Sequence, residues 1–351
     1  MSGLVALFYS DAAADMQAPA GLATLARYPQ VVLNAEMATA TADSAGRPYA
    51  SDGMTPVGWL QAEDVDVWLY VNVAWCKDSR QYGGPGETFR RAQSVMVEQY
   101  DAWLRDAKGN RIPVYGGQMW AVDLRNLRYQ EWLRQAVRAL PGKRVFVDCR
   151  FYHVQSYHQG AGGPDADRAA VLRWLYADWR AAGKQVMVNA GWEALDPEAE
   201  KRVYPFAGCV DGVAIEVPGG QDTAGKAWTL VSYRSGRAPD LTRLEAPVED
   251  WQDLGKAVWL VAKWQRKDAT AYTYSPWATF EEHADFWLTA AQSMGCSVAV
   301  FRDNSHAEWR ENWVAEWGTE SENGGQSTED RLTVIEQRLS ALERAFAAGG
   351  L

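Results

Sequence analysis

Long apolar runs are missing from this chain of 351 residues. No stretch of about 18 uninterrupted apolar residues occurs, so a membrane is not an expected partner. Basic residues are also in deficit, because 35 Lys and Arg stand against 45 Asp and Glu, which gives a net charge of −10. Such a surface repels polyanions, so nucleic acid is not expected as a partner either, whereas cationic polymers are attracted.

Several sequence motifs of catalytic and cofactor sites are absent as well. The four histidines form no HxH or HExxH pattern, no GxSxG elbow occurs, and no GxGxxG turn follows the first apolar run. We therefore predict neither a metal nor a cofactor. No CxxC pair exists, and buried free thiols are favoured over disulfides or zinc for the cysteines, which are Cys76, Cys149, Cys209 and Cys296.

The opening segment, MSGLVALFYSD, lacks the basic region of a signal peptide, and its apolar part is short. It predicts synthesis in the cytoplasm without a signal peptide. Tryptophan, in contrast, is abundant at 18 residues. Two interpretations stay open for it: a tryptophan-rich core, or a groove whose flat rings stack on sugar faces.

Eight short runs rich in Val, Ile and aromatic residues recur along the chain, and most of them end in polar residues. A nearly continuous apolar run is typical of a parallel strand that is buried on both faces. The runs are LVALFYS (4–10), VVLNAEMA (31–38), VWLYVNVAW (67–75), VFVDCRF (145–151), QVMVNAGW (185–192), GVAIEVPG (212–219), AVWLVAKW (257–264) and SVAVFRDN (297–304).

Stretches with helical spacing of apolar residues lie between these runs, at 86–107, 126–140, 165–183 and 279–294. Eight strands alternating with helices predict an α/β fold, a (β/α)8 TIM barrel over residues 1–317. A doubly wound open sheet is the competing fold. The widest gap, 76–144, predicts an insertion over the mouth of the barrel.

A polar, Gly- and Ser-rich linker at 318–328 precedes a predicted helix at 329–347. Its apolar residues are spaced 3, 4, 3, 4, which is the seam of a short coiled coil: Leu332, Ile335, Leu339, Leu342 and Phe346. We expect this helix to self-associate, with a trimer favoured, or to dock on a partner protein. Packing back onto its own barrel is the alternative.

Active sites of TIM barrels form at the carboxyl ends of the strands. Asn and Arg there suit sugar hydroxyls, and Trp and Tyr supply stacking faces, which predicts a polysaccharide substrate. The candidate binding residues at these strand ends are Tyr9, Asp11, Asn72, Arg150, Asn189, Trp192, Lys263, Trp264, Arg302 and Asp303.

Asp148 and Glu216 each interrupt an otherwise apolar strand, where an unpaired carboxylate would be costly to bury. The two strands are two apart in the predicted ring, so both side chains can flank one bond. A pair of carboxylates is what glycoside hydrolysis needs. The alternative is a pair of structural ion pairs, for example with Arg150, Lys263 or Arg302.

The order WLYVNVAW, MWAVDLRN, VFVDCRF, VMVNAGW and VDGVAIEVP resembles the endo-alpha-1,4-polygalactosaminidase type of glycoside hydrolase barrel, and more loosely the α-galactosidase-like clan. The resemblance covers roughly residues 65–220. It implies that Asp148 is the nucleophile and Glu216 the acid/base. It also implies that Trp120, Asp123 and Asn189 belong to the substrate pocket.

The resulting hypothesis is a retaining glycoside hydrolase that acts on a cell-surface or extracellular polysaccharide, with amino-sugar polymers as one candidate class. Synthesis without a signal peptide, a polysaccharide target and an oligomerisation helix together suggest a place in a bacteriophage tail, with a cytoplasmic enzyme as the alternative. The rival function is a catalytically inactive carbohydrate-binding or structural virion protein on the same barrel.

Overall fold

The computed structural model describes residues 4–8, 22–23, 25–42, 46, 48–50, 52–82, 88–114, 117–148, 165–191, 204–217, 241–264 and 280–302. In chain order the strands are β1 Val5–Phe8, β2 Gln30–Asn34, β3 Asp66–Val71, β4 Trp75–Cys76, β5 Pro113–Val114, β6 Met119–Ala121, β7 Arg144–Val147, β8 Gln185–Gly191, β9 Gly212–Val217, β10 Ala257–Trp264 and β11 Ser297–Arg302. The helices are α1 Pro56–Ala62, α2 Thr88–Gln99, α3 Leu127–Ala139, α4 Asp165–Ala181, α5 Thr242–Asp253 and α6 Phe280–Ser293.

Eight of the strands form one parallel sheet in the order β1-β2-β3-β7-β8-β9-β10-β11. A parallel bridge between Leu4 and Val298 joins its two edges, so the sheet closes into a barrel. Each of these strands begins within one residue of the start of one of the eight predicted runs. The predicted (β/α)8 barrel is therefore confirmed, and the open sheet is excluded. The predicted linker and C-terminal helix lie outside the described residues.

Aromatic side chains fill the inside of the barrel. The rings of Trp68 of β3 and Trp259 of β10 meet edge to face with centroids 5.2 Å apart. Because these two strands are on opposite sides of the ring, the contact places both side chains inside the barrel. Phe146 of β7 stacks on Trp259 at 5.8 Å, and Tyr70 stacks on Phe146 at 6.4 Å. The barrel therefore has a packed aromatic interior rather than a pore.

Small residues on β9 make room for these rings. Ala214 lies beside Trp259 in the strand register. A Cβ at Gly212 would lie 2.5 Å from the backbone oxygen of Ala257 and 2.7 Å from Cε of Met187, so only glycine fits there. Large side chains on β3, β7 and β10 thus interlock with small ones on β9.

The tryptophan-rich core is confirmed for the described residues. Six tryptophans are buried: Trp68, Trp103, Trp179, Trp251, Trp259 and Trp287. Trp179 and Trp287 lie on the barrel-facing sides of α4 and α6, beside buried Leu175 and Leu288. Trp192 and Trp264, the predicted stacking residues, have no described side chains, so the groove interpretation stays a prediction.

The predicted insertion leaves the barrel at the carboxyl end of β3. It contains a three-stranded antiparallel sheet in the order β4-β6-β5, together with α2 and α3. Its core consists of Leu104, Ile112, Val114 and Ala121, with Trp75 and Met119 packed against it.

The helix expected at 86–107 ends at Gln99, so its predicted end is wrong. Asp101 has a φ of +48°, and bridges from Trp103 to Val122 and from Arg105 to Arg111 replace the helix beyond it. The reason is that the apolar residues after Gln99 are buried against the insertion sheet instead of a helix-lined core. The other three predicted helices are confirmed within two residues at each end.

Burial favours the neutral form of three cysteines and one histidine in the described part. Burial raises the pKa of Cys76 and of Cys296 to about 12 and that of Cys209 to about 11. These three are free thiols, as predicted, whereas Cys149 lies outside the described residues. Burial also lowers the pKa of His283 on α6 to about 3, although a hydrogen bond with the backbone of Ala262 acts in the opposite direction.

Glu36, a polar residue just after β2, is used inside the fold. Its side chain is 1% exposed, and its Oε1 accepts hydrogen bonds from Nε of Arg90 at 2.9 Å and from the backbone N–H of Arg90 at 3.2 Å. The pair fastens the first turns of α2 to the carboxyl end of β2.

Replacing Glu36 by Ala should lower the free energy of unfolding by about 3 kcal/mol, because it breaks a largely buried ion pair and removes the acceptor of the backbone N–H of Arg90. Urea titration measures the loss. Glu131→Ala, which removes the ion pair with Arg134 on α3, is the matched control and should cost far less, since Glu131 is exposed. Equal costs for the two variants would contradict this account.

Candidate active site

Three polar side chains from neighbouring strands meet at the carboxyl end of the barrel. Asp148 directly follows β7, Asn189 lies in β8 and Glu216 lies in β9. Nδ2 of Asn189 donates hydrogen bonds to Oδ1 of Asp148 at 2.9 Å and to Oε1 of Glu216 at 3.0 Å. Because one nitrogen reaches both oxygens, those oxygens lie no more than 5.9 Å apart.

The predicted pair is thus brought together and does not turn toward the helical layer. If both carboxyl groups were ionised about 6 Å apart, they would repel each other by roughly 3 kcal/mol at an effective dielectric constant near 20. An amide NH2 group has two hydrogens and can give one to each acceptor. Asn189, buried at 8% exposure, therefore offsets the repulsion and fixes the spacing of the pair.

A β-bulge lies beside Asn189. The register runs from Asn189 opposite Ala214 to Gly191 opposite Ile215, so Ala190 is the extra residue on β8. Bulges re-aim side chains and are common next to active sites. Here the bulge falls at the level where Asn189 must reach across to Glu216 on the neighbouring strand.

Tyr70 approaches the pair from β3. It lies on the inward face, two residues after Trp68, and its hydroxyl donates a 2.6 Å hydrogen bond to Oδ2 of Asp148. Both oxygens of Asp148 therefore accept a hydrogen bond, from Tyr70 and from Asn189. Donors of this kind favour the ionised form of a carboxyl group.

Asn72, a predicted binding residue, lies at the same end of β3. Its Nδ2 is 3.5 Å from the hydroxyl of Tyr70, and its Oδ1 accepts from the backbone N–H groups of Ala74 and Trp75. The carboxamide of Asn72 thus stabilises the turn after β3 and contacts the Tyr70 hydroxyl, which donates to Asp148.

Trp120 and Asp123 lie in and just after the insertion sheet. Trp120 belongs to β6 and is half-buried. The carboxylate of Asp123 forms a two-point contact with the guanidinium of Arg125, at 2.8 and 2.9 Å. Burial alone would raise the pKa of Asp123, but the bonds and charge of Arg125 outweigh it and lower the pKa below its ordinary value. No bond between these two residues and Asp148, Asn189 or Glu216 occurs among the described contacts.

The remaining predicted binding residues have no described side chains. Tyr9, Asp11, Arg150, Trp192 and Asp303 lie outside the described residues altogether, and for Lys263, Trp264 and Arg302 only the backbone is described. Their roles stay predictions. The alternative, in which Arg150, Lys263 or Arg302 forms ion pairs with the two acids, also stays open, because these side chains are not described.

Two residues of the site were not predicted from the sequence. Tyr70 sits inside an apolar run and has the appearance of a core aromatic; its position two residues before Asn72 is the signal that places it on the inward face. Gln93 on α2 contacts Asn72 from the insertion, 21 residues away along the chain, and no sequence pattern indicated it.

Within the described ranges, no group of three or more His, Cys, Asp or Glu residues is placed to hold a metal ion. Within the same ranges, every helix is too short or too polar to cross a membrane.

No family model and no curated protein matches this chain. Solved structures with a similar fold include Ega3 of Aspergillus fumigatus in complex with galactosamine, at 10% identity and a TM-score of 0.48, covering 89% of this chain and 93% of that one. A thermostable mutant of a xylanase from Cellvibrio japonicus matches at 8% identity and 0.47, covering 89% and 90%.

The 3-keto-D-glucoside 4-epimerase of E. coli matches at 10% identity and a TM-score of 0.44, covering 91% of this chain and 99% of that one. Similarities this remote do not carry the chemistry of those proteins over to this chain. Its function has to be inferred from its own side chains.

The bridging role of Asn189 can be tested by adding charge. Asn189→Asp should lower the free energy of unfolding by about 3 kcal/mol near pH 7, because three carboxylates then share the space of two. The deficit relative to the wild type should shrink near pH 5, since repulsion raises the pKa of the new carboxyl group, and the native state then binds the extra proton before the unfolded state does.

Asn189→Leu is the control, because it removes the amide and adds no charge. Urea titrations of both variants and the wild type at the two pH values decide the matter. A deficit of Asn189→Asp that does not change with pH would contradict the proposed closeness of the three groups.

Proposed function

We propose that this protein is a retaining glycoside hydrolase, with Asp148 as the nucleophile and Glu216 as the acid/base. The observation that carries the proposal is the shared amide of Asn189, which keeps an oxygen of Asp148 and an oxygen of Glu216 within 5.9 Å. Retaining enzymes hold their two carboxyl groups about 5–5.5 Å apart, whereas inverting enzymes need about 6.5–9.5 Å.

The two acids take different parts in the reaction. Asp148, whose oxygens accept hydrogen bonds from Tyr70 and Asn189, attacks the anomeric carbon as the carboxylate and forms a glycosyl ester as the bond to the leaving oxygen breaks. Glu216 gives its proton to that oxygen. It then takes a proton from water, whose oxygen attacks the anomeric carbon and returns the electron pair of the ester bond to Asp148.

The substrate class we propose is an extracellular or cell-surface polysaccharide that contains amino sugars. The net charge of −10 supports it, because a polymer of free amino sugars is cationic near neutral pH. The sequence resemblance to polygalactosaminidase barrels points to the same class. The two acids lie at the carboxyl ends of β7 and β9, so their carboxyl groups are at the mouth of the barrel.

We also propose that the predicted helix at 329–347 joins copies of the chain, as in a bacteriophage tail protein. The 3, 4, 3, 4 spacing of its apolar residues supports this.

The assigned roles predict opposite outcomes for two alanine variants. Asp148→Ala and Glu216→Ala should each lose about 10⁴-fold in turnover of poly-α-1,4-galactosamine. With an aryl α-galactosaminide and added azide, Asp148→Ala should release the glycosyl azide of inverted configuration. The azide then occupies the space left by the Asp148 carboxylate and attacks the anomeric carbon from the face opposite the leaving group. Glu216→Ala should release the azide of retained configuration. NMR of the products distinguishes them.

Asp211→Asn is the control for these variants. Asp211 precedes β9, at the opposite end of the barrel, where it pairs with Arg180, so turnover should stay unchanged. Normal turnover of Asp148→Ala would refute the assignment. A wild-type protein that binds polysaccharide, but cleaves neither amino-sugar nor neutral chains, would favour the inactive binding protein instead.

The helix has its own test. Deleting residues 319–351 should reduce the mass measured by light scattering from that of a trimer to that of a monomer. Leu339→Glu with Leu342→Glu, which charges the apolar seam and keeps the full length, should do the same. An unchanged oligomeric state in both variants would remove the proposed role.

A further inference from the structure

A buried polar chain links Asp148 to the insertion. It begins at the 2.6 Å bond from the hydroxyl of Tyr70 to Oδ2 of Asp148 and continues to Nδ2 of Asn72, 3.5 Å from the same hydroxyl. The backbone oxygen of Asn72 accepts from Nε2 of Gln93 at 2.7 Å, and the same nitrogen donates to the hydroxyl of Tyr129 at 2.8 Å.

Beyond Asp148, which is half-buried, the residues of this chain are shielded from water. Tyr70 and Asn72 are 9% and 8% exposed, Gln93 is 1% exposed and Tyr129 is fully buried. The chain crosses from β3 to α2, where Gln93 lies, and on to α3, where Tyr129 lies. It therefore connects the site to two helices that belong to the insertion.

Packing alone does not require the hydroxyl of Tyr70. Its ring already stacks on Phe146, and phenylalanine would fill the same space without a polar group to bury. Burying a hydroxyl costs free energy unless it is hydrogen-bonded, and apolar replacements of buried polar groups are often neutral or stabilising. The hydroxyl of Tyr70 instead donates its hydrogen bond to one oxygen of Asp148.

We propose that Tyr70 is a positioning residue for Asp148, and that Asn72 and Gln93 hold its hydroxyl in place. The inference rests on the proposed function, in which Asp148 is the nucleophile. Tyr70 on Oδ2 and Asn189 on Oδ1 together stop the carboxylate from rotating, so that a free lone pair faces the anomeric carbon. A carboxylate oxygen has two acceptor lone pairs, so accepting the bond from Tyr70 or Asn189 does not by itself prevent attack.

The donor also acts in the second half of the reaction. When water attacks the glycosyl ester, the bond from the anomeric carbon to Asp148 breaks and its electron pair returns to the carboxylate. A hydrogen bond from Tyr70 stabilises the negative charge that develops there. Loss of the hydroxyl therefore slows release of the ester, so that the covalent intermediate accumulates.

The test compares Tyr70→Phe with Tyr176→Phe, a buried tyrosine on α4 that packs against Trp179 and Phe206. With a 4-nitrophenyl α-galactosaminide, Tyr70→Phe should lower kcat by about 10- to 100-fold, the range for a hydrogen bond to a charged group. A burst of nitrophenol should precede the slow phase, and KM should not rise. Tyr176→Phe should match the wild type.

A second measurement needs no substrate. In protein labelled with ¹³C at the aspartate carboxyl groups, the Asp148 signal, assigned with Asp148→Asn, should titrate at higher pH in Tyr70→Phe than in the wild type. The described groups that face this carboxyl are Tyr70, Asn189 and Glu216, and only the first is changed. Gln93→Met should give a smaller shift in the same direction.

Failure of the inference and failure of the proposed function look different. A Tyr70→Phe protein with wild-type kcat, no burst and an unchanged Asp148 titration overturns the inference. The proposed function still stands in that case if Asp148→Ala has lost its turnover. If the wild type cleaves none of the probes, the proposed function falls, and the carboxyl titration alone then decides whether Tyr70 controls Asp148.

Discussion

The hydrogen bonds from one amide nitrogen of Asn189 to two carboxylates are the constraint on which the site depends. An amide N–H can donate to a carboxylate oxygen and to the carbonyl oxygen of a protonated carboxyl group alike, so the spacing of Asp148 and Glu216 holds when one of them carries a proton. Both acids lie within hydrogen-bond distance of the same nitrogen, at 2.9 and 3.0 Å. The bulge at Ala190 and the inward alternation of β7, β8 and β9 serve this single contact.

Beneath the acids, the aromatic interior gives the site a rigid floor. Trp68, Phe146 and Trp259 fill the barrel, and Tyr70 forms the upper edge of the same stack. Stacking restricts the movement of the Tyr70 ring, and the hydroxyl of Tyr70 therefore stays in place beside Asp148. Two of the tryptophans in the sequence, Trp68 and Trp259, thus belong to the packed interior that holds Tyr70 in place.

The sequence was sufficient to locate the strands of the barrel and to single out the two acids that the structure brings together, and the reason is physical. A parallel strand buried on both faces is nearly continuous in apolar residues, so each of the eight runs was visible, and a carboxylate inside such a run stands out. The strands of the insertion, two and three residues long, carry no periodicity to detect. Helix α5 was missed because Pro247 lies inside it.

Tyr70 and Gln93 show why the rest of the site could not be predicted. An aromatic in an apolar strand is ordinarily core, and its hydroxyl gains a role only from a strand far along the chain. A glutamine on a helix face is ordinarily solvated, and only folding shows that Gln93 is buried against Asn72.

The central claim is that Asp148 forms a covalent bond to the sugar. The most direct measurement is to incubate the wild-type protein with a 5-fluoro galactosaminyl fluoride, digest it and locate the label by mass spectrometry. The account predicts one glycosylated peptide with the sugar on Asp148, and none in Asp148→Asn. A label on Glu216, on any other residue or on none would contradict it.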